Sequence, residues 1–253
     1  MRTIVVMPAF DEAGTIREVA RRVLAQPVDR LLVVDDGSTD GTAAALAGLD
    51  LEVLTNPTNQ GKGASLLRGL RHARTLGGDA VLTLDADGQH RPEDIPRLLA
   101  AAARYPDRIV IGARTLGREK APAARRRANA FADFWVSWAC AQPVRDSQSG
   151  FRLYPAALLE RLRTTARPGI GFVFESEILI DAAALGVGNL SIPIETLYAT
   201  SPRPSHYRPV TDTTRIVLMI AGKLARRGFS PRALWRGLRA RPGTGLCDMG
   251  DAS

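Results

Sequence analysis

The first half of the chain alternates between two hydrophobic patterns. Short β-rich runs recur five times up to residue 114, and stretches with helical spacing separate them. The five runs are TIVVMPAF, RLLVVDDGS, LEVLTN, DAVLTLDADG and DRIVIGAR. Strands that alternate with helices pair in parallel and carry helices on both faces of the sheet. The sequence therefore predicts an α/β fold with a single, mostly parallel sheet.

The net charge is concentrated near one end of the chain. The 253 residues carry a net charge of +8, and eight Lys or Arg and no acid lie between residues 215 and 241. Such a basic, partly amphipathic segment favours an anionic lipid surface, although a core-packed helix followed by a solvated tail gives the same pattern. Nucleic acid is disfavoured as a partner, since no recognition motif accompanies the charge.

Composition excludes several other classes. A hydrophobic fraction of 45% and a charged fraction of 24% exclude disorder of the whole chain. The apolar run at residues 216–222 is far shorter than the about 20 residues that a membrane-spanning helix needs. Cys140 and Cys247 lie far apart in unlike surroundings, which disfavours a disulfide framework. We therefore expect a protein of the reducing cytoplasm without a transmembrane span.

Polar side chains follow four of the predicted strands. They lie at residues 8–12, 35–38 and 85–89, and Arg114 follows the fifth strand. Ligands of open parallel sheets bind beyond the carboxyl ends of the strands, so these groups are expected at one edge. Repulsion among the acids requires a compensating cation, either a metal ion or arginines.

The segment LTLDADGQH predicts a metal site. Asp85 and Asp87 lie just past an apolar strand, and alternation along an extended chain directs both carboxylates the same way. Gln89 adds a neutral oxygen in that direction. Oxygen ligands at this spacing suit Mg²⁺ or Mn²⁺. Turn and helix-cap interactions of the two acids are the alternative.

Five segments together resemble the family 2 glycosyltransferases of the GT-A fold. They are VVMPAFDEAGTI, VVDDGSTDGT, NQGKGAS, LDADGQH and DSQSGFR, in the family's order and at its approximate spacing across residues 1–155. The branch that this chain is most similar to is that of the dolichyl- and polyprenyl-phosphate sugar transferases. The resemblance implies a GT-A catalytic domain over residues 1–210, followed by a basic amphipathic helix and tail over 211–253.

The resemblance also implies a nucleotide site. Asp36 would accept hydrogen bonds from the base or ribose, and Lys62 would lie near the nucleotide unless it is a solvated loop lysine. Asp85, Asp87 and Gln89 would face the metal and the diphosphate. The full predicted nucleotide-binding set is Pro8, Ala9, Phe10, Glu12, Val34, Asp36, Lys62, Asp85 and Ala86.

On the acceptor side, arginines suit a phosphate because guanidinium groups bind it through two hydrogen bonds. In similar lipid-phosphate transferases, arginines at the positions of Arg114 and Arg126 hold the acceptor phosphate. An ionised phosphate needs no general base, whereas a hydroxyl acceptor does. Asp146 is then the candidate base, with Glu175 and Glu177 as alternatives that helix capping explains as well. The predicted acceptor set is Arg114, Arg126, Arg152, His206 and Arg208, with Arg203 nearby.

The expected activity is an inverting, metal-dependent hexosyl transfer from a GDP- or UDP-sugar to a membrane-associated acceptor, in the first place a polyprenyl phosphate. Asp87, Asp146 and Arg114 are its predicted catalytic residues, and peripheral contact with the cytoplasmic face of the membrane is expected. A hydroxyl acceptor, a phosphatase of the haloacid dehalogenase type, a sugar-nucleotide pyrophosphorylase and a non-enzymatic lipid-surface protein are the alternatives. His72 and His90 are predicted at the surface, and Phe131, Trp135 and Trp138 as packing groups.

Overall fold

A computed structural model describes residues 1–117, 123–162, 173–195, 197, 209–226 and 228–239. In these ranges it contains one seven-stranded sheet with helices on both faces. The strands are β1 (Thr3–Ala9), β2 (Arg30–Asp35), β3 (Glu52–Thr55), β4 (Ala80–Thr83), β5 (Ile109–Leu116), β6 (Arg152–Pro155) and β7 (Asn189–Glu195). The predicted α/β fold is confirmed.

The described helices fill the connections between strands. They are α1 (Ile16–Leu24), α2 (Thr42–Ala45), α3 (Lys62–Thr75), α4 (Ile95–Arg104), α5 (Ala123–Cys140), α6 (Ala156–Arg161), α7 (Val173–Ala184), α8 (Pro209–Arg226) and α9 (Pro231–Arg239). The helix between β2 and β3 is confined to the four residues of α2, and Gly48, with a φ of +78°, interrupts helical geometry after it.

The sheet has the order β3-β2-β1-β4-β6-β5-β7. The predicted mostly parallel sheet is confirmed, and β6 is the strand that runs antiparallel to its neighbours β4 and β5. The remaining described pairs, including β5 with β7, are parallel. β7 forms one edge, which agrees with Pro193 lying in an edge strand, where a missing N–H costs no ladder hydrogen bond.

The two faces of the sheet bury separate cores. Along β1, Ile4 and Val6 face α3, whereas Val5 and Met7 face the side covered by α1 and α4. Gly69 brings α3 close to the sheet, since a Cβ there would lie 2.9 Å from the Cγ2 atom of Val34. This contact fixes the axis of α3, and with it the position of Lys62 at the start of the helix.

The start of the C-terminal segment packs on the body of the protein. Ile216, Ile220 and Leu224 of α8 are buried in the same core as α3, α5 and α7. The boundary predicted after residue 210 falls inside α8, which buries Ile216, Ile220 and Leu224 and exposes Val217 and Leu218. Among the described helices, none has both the length and the apolar character that crossing a bilayer requires.

Candidate active site

The site lies at the carboxyl edge of the parallel strands. β1, β2, β4 and β5 all end there. Because β6 is antiparallel, it begins at the edge where its neighbours end, with Arg152 opposite Thr83. The loop that precedes β6 therefore meets the loops that follow the parallel strands. The sheet thus brings together the strand-end groups predicted from the sequence.

The loops after β1 and β2 hold each other through hydrogen bonds. The Asp11 amide donates to Ser38 Oγ over 3.0 Å, and the Thr39 amide donates to Asp11 Oδ1 over 2.9 Å. Asp11 has a φ of +53°, a conformation that Asp tolerates better than most residues. The two loops thus form one rigid rim at the edge of the sheet.

Five predicted nucleotide contacts lie on or beside this rim. Pro8 and Ala9 are the last residues of β1 and are buried, whereas Phe10 and Glu12 in the following loop are half-buried. Val34 is fully buried inside the core, so it can only shape the site from behind.

Asp36 is buried and its carboxylate holds the start of α3. Its Oδ1 accepts hydrogen bonds from the Asn56 side-chain Nδ2 at 2.6 Å and from the Gln60 backbone N–H at 2.9 Å. Its Oδ2 accepts a hydrogen bond from the Gly61 backbone N–H at 2.8 Å. Both oxygens are therefore engaged by the chain itself. This geometry indicates that Asp36 positions Lys62, the residue after Gly61. It does not favour the predicted hydrogen bond from Asp36 to the base or ribose.

Lys62 lies between two acids. Its ammonium group is 2.8 Å from Asp85 Oδ1 and 2.9 Å from Glu175 Oε1, and the Glu175 side chain is only 3% exposed. Burial alone would lower the pKa of Lys62, but the charges of Asp85 and Glu175 outweigh it and raise the pKa. Lys62 is the cation in direct contact with Asp85, and Arg114 adds a smaller charge effect.

The two acids of the DAD segment differ in their electrostatic state. Burial alone would raise the pKa of Asp85, but Lys62 and His90 hold it below its ordinary value. For Asp87, burial and then repulsion by Asp85 raise the pKa to about 6. Asp87 Oδ1 accepts a hydrogen bond from the backbone N–H of Gln89 at 2.9 Å, which places Gln89 beside Asp87.

This donor set suits a hard divalent cation. Asp85, Asp87 and Gln89 contribute only carboxylate and amide oxygens, which are ligands that Mg²⁺ and Mn²⁺ accept. A cation here would also relieve the repulsion that raises the pKa of Asp87. Within the described ranges, no three His, Cys, Asp or Glu side chains form a cluster able to hold a metal ion by themselves. A metal would therefore rely on the two acids and a neutral or substrate oxygen.

His90 was predicted at the surface, and that prediction is wrong. Its side chain is 2% exposed, its ring centroid is 5.5 Å from that of Phe151, and its Nε2 is 4.0 Å from Asp85 Oδ2. Burial lowers the pKa of His90 to about 4, so the ring is neutral at pH 7. The side chain of His90 is buried because the loop before β6, with Phe151, covers it. His72, by contrast, lies half-buried on α3 beside Glu52.

Arg114 and Asp146 form a closely bonded pair. The Arg114 amide donates to Asp146 Oδ2 at 2.8 Å, its Nε donates to the same oxygen at 2.7 Å, and its Nη2 donates to Oδ1 at 2.7 Å. Burial would raise the pKa of Asp146, but Arg114 outweighs it and holds the pKa below its ordinary value. Asp146 is therefore a weak base, and Arg114 is fixed at the end of β5.

The loop that carries Asp146 is anchored from α5 and α7. Asp133 of α5 accepts from the amides of Asp146 and Ser147, at 3.0 and 2.7 Å. Arg152 donates from Nη1 to the Glu175 carbonyl at 2.5 Å and from Nη2 to the Ser147 carbonyl at 2.7 Å. Because Arg152 is fully buried, this geometry favours loop support over its predicted contact with an acceptor phosphate.

The remaining predicted acceptor residues are Arg126, His206 and Arg208. Arg126 lies near the start of α5 and is half-buried. Arg203, His206 and Arg208 lie outside the described residues. Ala86 is buried between the two acids of the DAD segment.

Three residues at the site were missed or misread from the sequence. Glu175 was interpreted as a helix-capping acid, yet it is buried against Lys62. Asp133 and Gly150 were not singled out. Asp133 is the only acid of the aromatic-rich helix α5, and a single acid in such a helix could have indicated a buried role. Gly150 lies so close to Asp85 that a Cβ at this position would be 2.6 Å from Asp85 Oδ1.

The chain is similar to a known protein family and to several characterised proteins. The model of the family described as glycosyl transferase family 2 matches residues 4–162. An undecaprenyl-phosphate mannosyltransferase of Micrococcus luteus is 28% identical over 252 residues, which is 96% of this chain and 100% of that protein. A polyprenol monophosphomannose synthase of Mycolicibacterium smegmatis is 30% identical over 203 residues, 76% of each chain.

Solved structures give the same fold. Mannosyl-3-phosphoglycerate synthase from Rubrobacter xylanophilus superimposes with a TM-score of 0.71 at 23% identity, over 96% of this chain and 78% of that one. Glucosyl-3-phosphoglycerate synthase from Mycobacterium tuberculosis, solved with Mn²⁺, uridine-diphosphate-glucose and phosphoglyceric acid, has a TM-score of 0.66 at 22% identity, over 88% and 80% of the two chains. The fold is therefore GT-A.

Proposed function

This chain belongs to glycosyl transferase family 2, and from that membership we propose that it transfers a sugar from a nucleoside-diphosphate sugar to a polyprenyl phosphate. Family membership makes it a glycosyltransferase and leaves the phosphatase, pyrophosphorylase and non-enzymatic alternatives without support. The curated relatives whose names specify undecaprenyl phosphate or polyprenol support the lipid acceptor. The donor is a GDP- or UDP-sugar.

The state of Asp146 is the observation that carries the choice of acceptor. A hydroxyl acceptor must lose a proton to a base, and Asp146 is the candidate from the sequence. Its two oxygens are bonded to Arg114, and its pKa is below the ordinary value, so its affinity for a proton is weak. A phosphate monoester is already ionised at pH 7 and needs only to be positioned. The pair therefore supports a phosphate acceptor.

On the donor side, the rim formed by the loops after β1 and β2 would receive the nucleotide, with Pro8, Ala9, Phe10 and Glu12 along it. Lys62 faces the DAD acids from the start of α3 and would meet the diphosphate there. Asp36 would contribute by fixing Lys62. Direct attack of the acceptor oxygen on the anomeric carbon would invert its configuration.

Asp85, Asp87 and Gln89 would hold Mg²⁺ or Mn²⁺ when the donor binds. Such an ion supplies electrostatic stabilisation of the charge that grows on the departing diphosphate. Arg114, held by Asp146 at the end of β5, would direct the acceptor phosphate, and Arg126 would add positive charge from α5. Residues 203–208 remain candidates for contacts to the same phosphate. The basic segment over 211–253 would bring the protein to the cytoplasmic face of the membrane.

The proposal is tested with a panel of sugar nucleotides. Purified protein, undecaprenyl phosphate in detergent and each GDP- or UDP-sugar are incubated with Mn²⁺, with Mg²⁺ or with a chelator, and the lipid product is identified by mass spectrometry. We expect one donor class to give a sugar phosphate lipid in the presence of a metal ion only. A lipid alcohol tested in parallel should give no product.

The matched variants are Asp87→Asn and Asp107→Asn. Asp87→Asn should reduce transfer by at least about a hundredfold, since it removes a carboxylate charge that would hold the metal ion, and with it the stabilisation of the leaving diphosphate. Asp107 is an exposed acid just before β5, at the opposite edge of the sheet, and its variant should retain full transfer. Transfer that proceeds equally with the chelator, or onto the alcohol but not the phosphate, would contradict the proposal.

A further inference from the structure

An uninterrupted series of aromatic rings runs along α5 to the turn before α9. We call it the aromatic ladder, and it consists of Phe131, Phe134, Trp135, Trp138 and Phe229. Trp135 and Trp138 stack with centroids 5.3 Å apart. The two tryptophans also pack against the core, so the ladder has an inner side that is fixed to the body of the protein.

The outer side of the ladder is exposed. Phe131 is 51% exposed, Phe134 37% and Phe229 47%, and Trp235 of α9 is 55% exposed. Phe131 was predicted as a packing group, and its exposure contradicts that prediction. Large aromatic side chains exposed together, rather than singly, mark a surface that meets another molecule or a membrane.

The helices that present these rings are tightly packed. A Cβ at Gly237 would lie 2.9 Å from the Ser137 carbonyl oxygen, so α9 approaches α5 as closely as backbone allows. Trp138 Nε1 donates to the Ser230 carbonyl at 3.2 Å. The exposed rings therefore occupy defined positions, and no refolding of this surface is needed before it binds.

The charge around the rings is positive. Arg127 lies one helical turn before Phe131, and Arg232 and Arg236 flank Trp235 on α9; all three arginines are exposed. Asp133 is the only acid of α5, and it points inward to the amides of Asp146 and Ser147. Residues 228–239 contain no acid. Along α5 and α9 the described surface thus combines aromatic rings with exposed arginines and no exposed acid.

We infer that this surface, made of Phe131, Phe134, Phe229, Trp235, Arg127, Arg232 and Arg236, docks on an anionic lipid bilayer. Aromatic rings prefer the headgroup level of a membrane, and arginines beside them attract anionic headgroups. The exposed arginines give this surface a charge that complements anionic headgroups, which favours a bilayer as its occupant. The inference rests on the proposed function, because a docked membrane surface is what would supply a lipid acceptor. It assigns membrane contact to α5 and α9, where the aromatic rings are exposed, whereas Ile216, Ile220 and Leu224 of α8 are buried in the core.

Sedimentation with vesicles tests the electrostatic part. The double variant Arg232→Glu/Arg236→Glu should bind vesicles of phosphatidylcholine with phosphatidylglycerol at least about tenfold more weakly than the parent protein. The charge-matched control is Arg21→Glu/Arg104→Glu, which reverses two exposed arginines of α1 and α4 on the other face of the sheet. Far-UV circular dichroism and thermal melting verify that each variant is folded. Equal losses in the two double variants would overturn the assignment.

Tryptophan fluorescence tests the aromatic part. Emission of the parent protein should shift to the blue with anionic vesicles and should be quenched by brominated lipid, and Trp235→Phe should lose most of both changes. Phe131→Ser should weaken binding without changing the melting temperature greatly, since half of the ring is exposed. Quenching that is unaltered in Trp235→Phe would overturn the inference.

Two further results separate this inference from its alternatives. A dimer in lipid-free solution that Phe131→Ser dissociates would assign the surface to a second copy of the chain and overturn lipid docking. Absence of sugar transfer with every donor would remove the proposed function, yet vesicle binding would still be measured without any sugar nucleotide. Failure of the two proposals is therefore distinguishable.

Discussion

Gly150 leaves just enough room for the carboxylate of Asp85. A Cβ at position 150 would be 2.6 Å from Asp85 Oδ1 and 2.7 Å from its Cγ, whereas the Gly150 carbonyl accepts a hydrogen bond from Thr83 Oγ1 at 2.7 Å. The loop before β6 thus lies directly over the first acid of the DAD segment. A displacement of this loop toward the sheet would therefore displace the carboxylate of Asp85.

Gly150→Ala should reduce transfer by at least about a hundredfold, because Asp85 must move to make room and a small misplacement of a reacting group has a large kinetic cost. The measurement is the rate of transfer, beside thermal melting to establish that the variant is folded. Gly222→Ala is the control: nothing lies within 4 Å of a Cβ at that position on α8. Wild-type rates in Gly150→Ala would mean that the position of Asp85 has little importance.

Glu175→Gln should lower both stability and activity. The substitution keeps the volume of the side chain but removes one of the two charges that face Lys62. Because Asp85 remains as a partner, we expect a loss of unfolding free energy of about 1–3 kcal/mol, measured by urea denaturation. Glu160→Gln, in an exposed position of α6, should change neither. An unchanged free energy of unfolding in Glu175→Gln would contradict a role for this pair.

Arg152→Lys should destabilise the protein although it conserves charge. A lysine has no planar fork with which to reach both the Glu175 and Ser147 carbonyls. We expect a loss of about 1–3 kcal/mol in unfolding free energy. Arg161→Lys is the matched control, since Arg161 is exposed and makes one hydrogen bond, to the Leu185 carbonyl at 3.1 Å. Similar losses in both variants would show that burial of the guanidinium has no special importance.

The contribution of Asp146 to stability should depend on pH. The pKa of its carboxyl is lowered in the folded protein, where Arg114, His90 and Asp133 surround it. As pH falls, the unfolded chain is therefore protonated first, and its ordinary pKa is about 3.9. Stabilisation by the carboxylate is present above that value and is lost as pH falls through the lower, folded-state pKa.

The difference in unfolding free energy between the parent protein and Asp146→Asn should thus be largest near pH 7 and shrink on acidification. Urea denaturation at a series of pH values measures it. Asp107→Asn, in an exposed position, should show a difference near zero at each pH. A difference for Asp146→Asn that grows toward low pH would reverse the sign of the argument.

Local patterns in the sequence were sufficient for the framework of the site. Alternation of strand-like and helical runs predicts the parallel strands, and the position of Asp85 and Asp87 after an apolar run predicts where the acids emerge. Both inferences need only short-range periodicity and the rule for strand ends.

Long-range pairing could not be read from the chain. The polar loop before β6 gives no indication that the strand inserts antiparallel between β4 and β5. That insertion buries His90 under Phe151 and brings Glu175 to Lys62, two features that the local sequence misrepresents. A buried acid and an exposed helix-capping acid look alike in sequence until the partner is known.

The reversed direction of β6 has a consequence for how such a protein diversifies. Within residues 1–117, the proposed donor-side groups follow strands that end at the site edge of the sheet. Residues 123–155 have the opposite order, because α5 and its loop lead to this edge and β6 begins there. Under the proposed function, the part of the acceptor side that surrounds Asp146 could therefore be exchanged as one contiguous stretch, while Arg114 and the groups that would bind the sugar nucleotide stay in place. Any replacement of this stretch would have to keep a glycine at position 150, because a Cβ there would collide with Asp85.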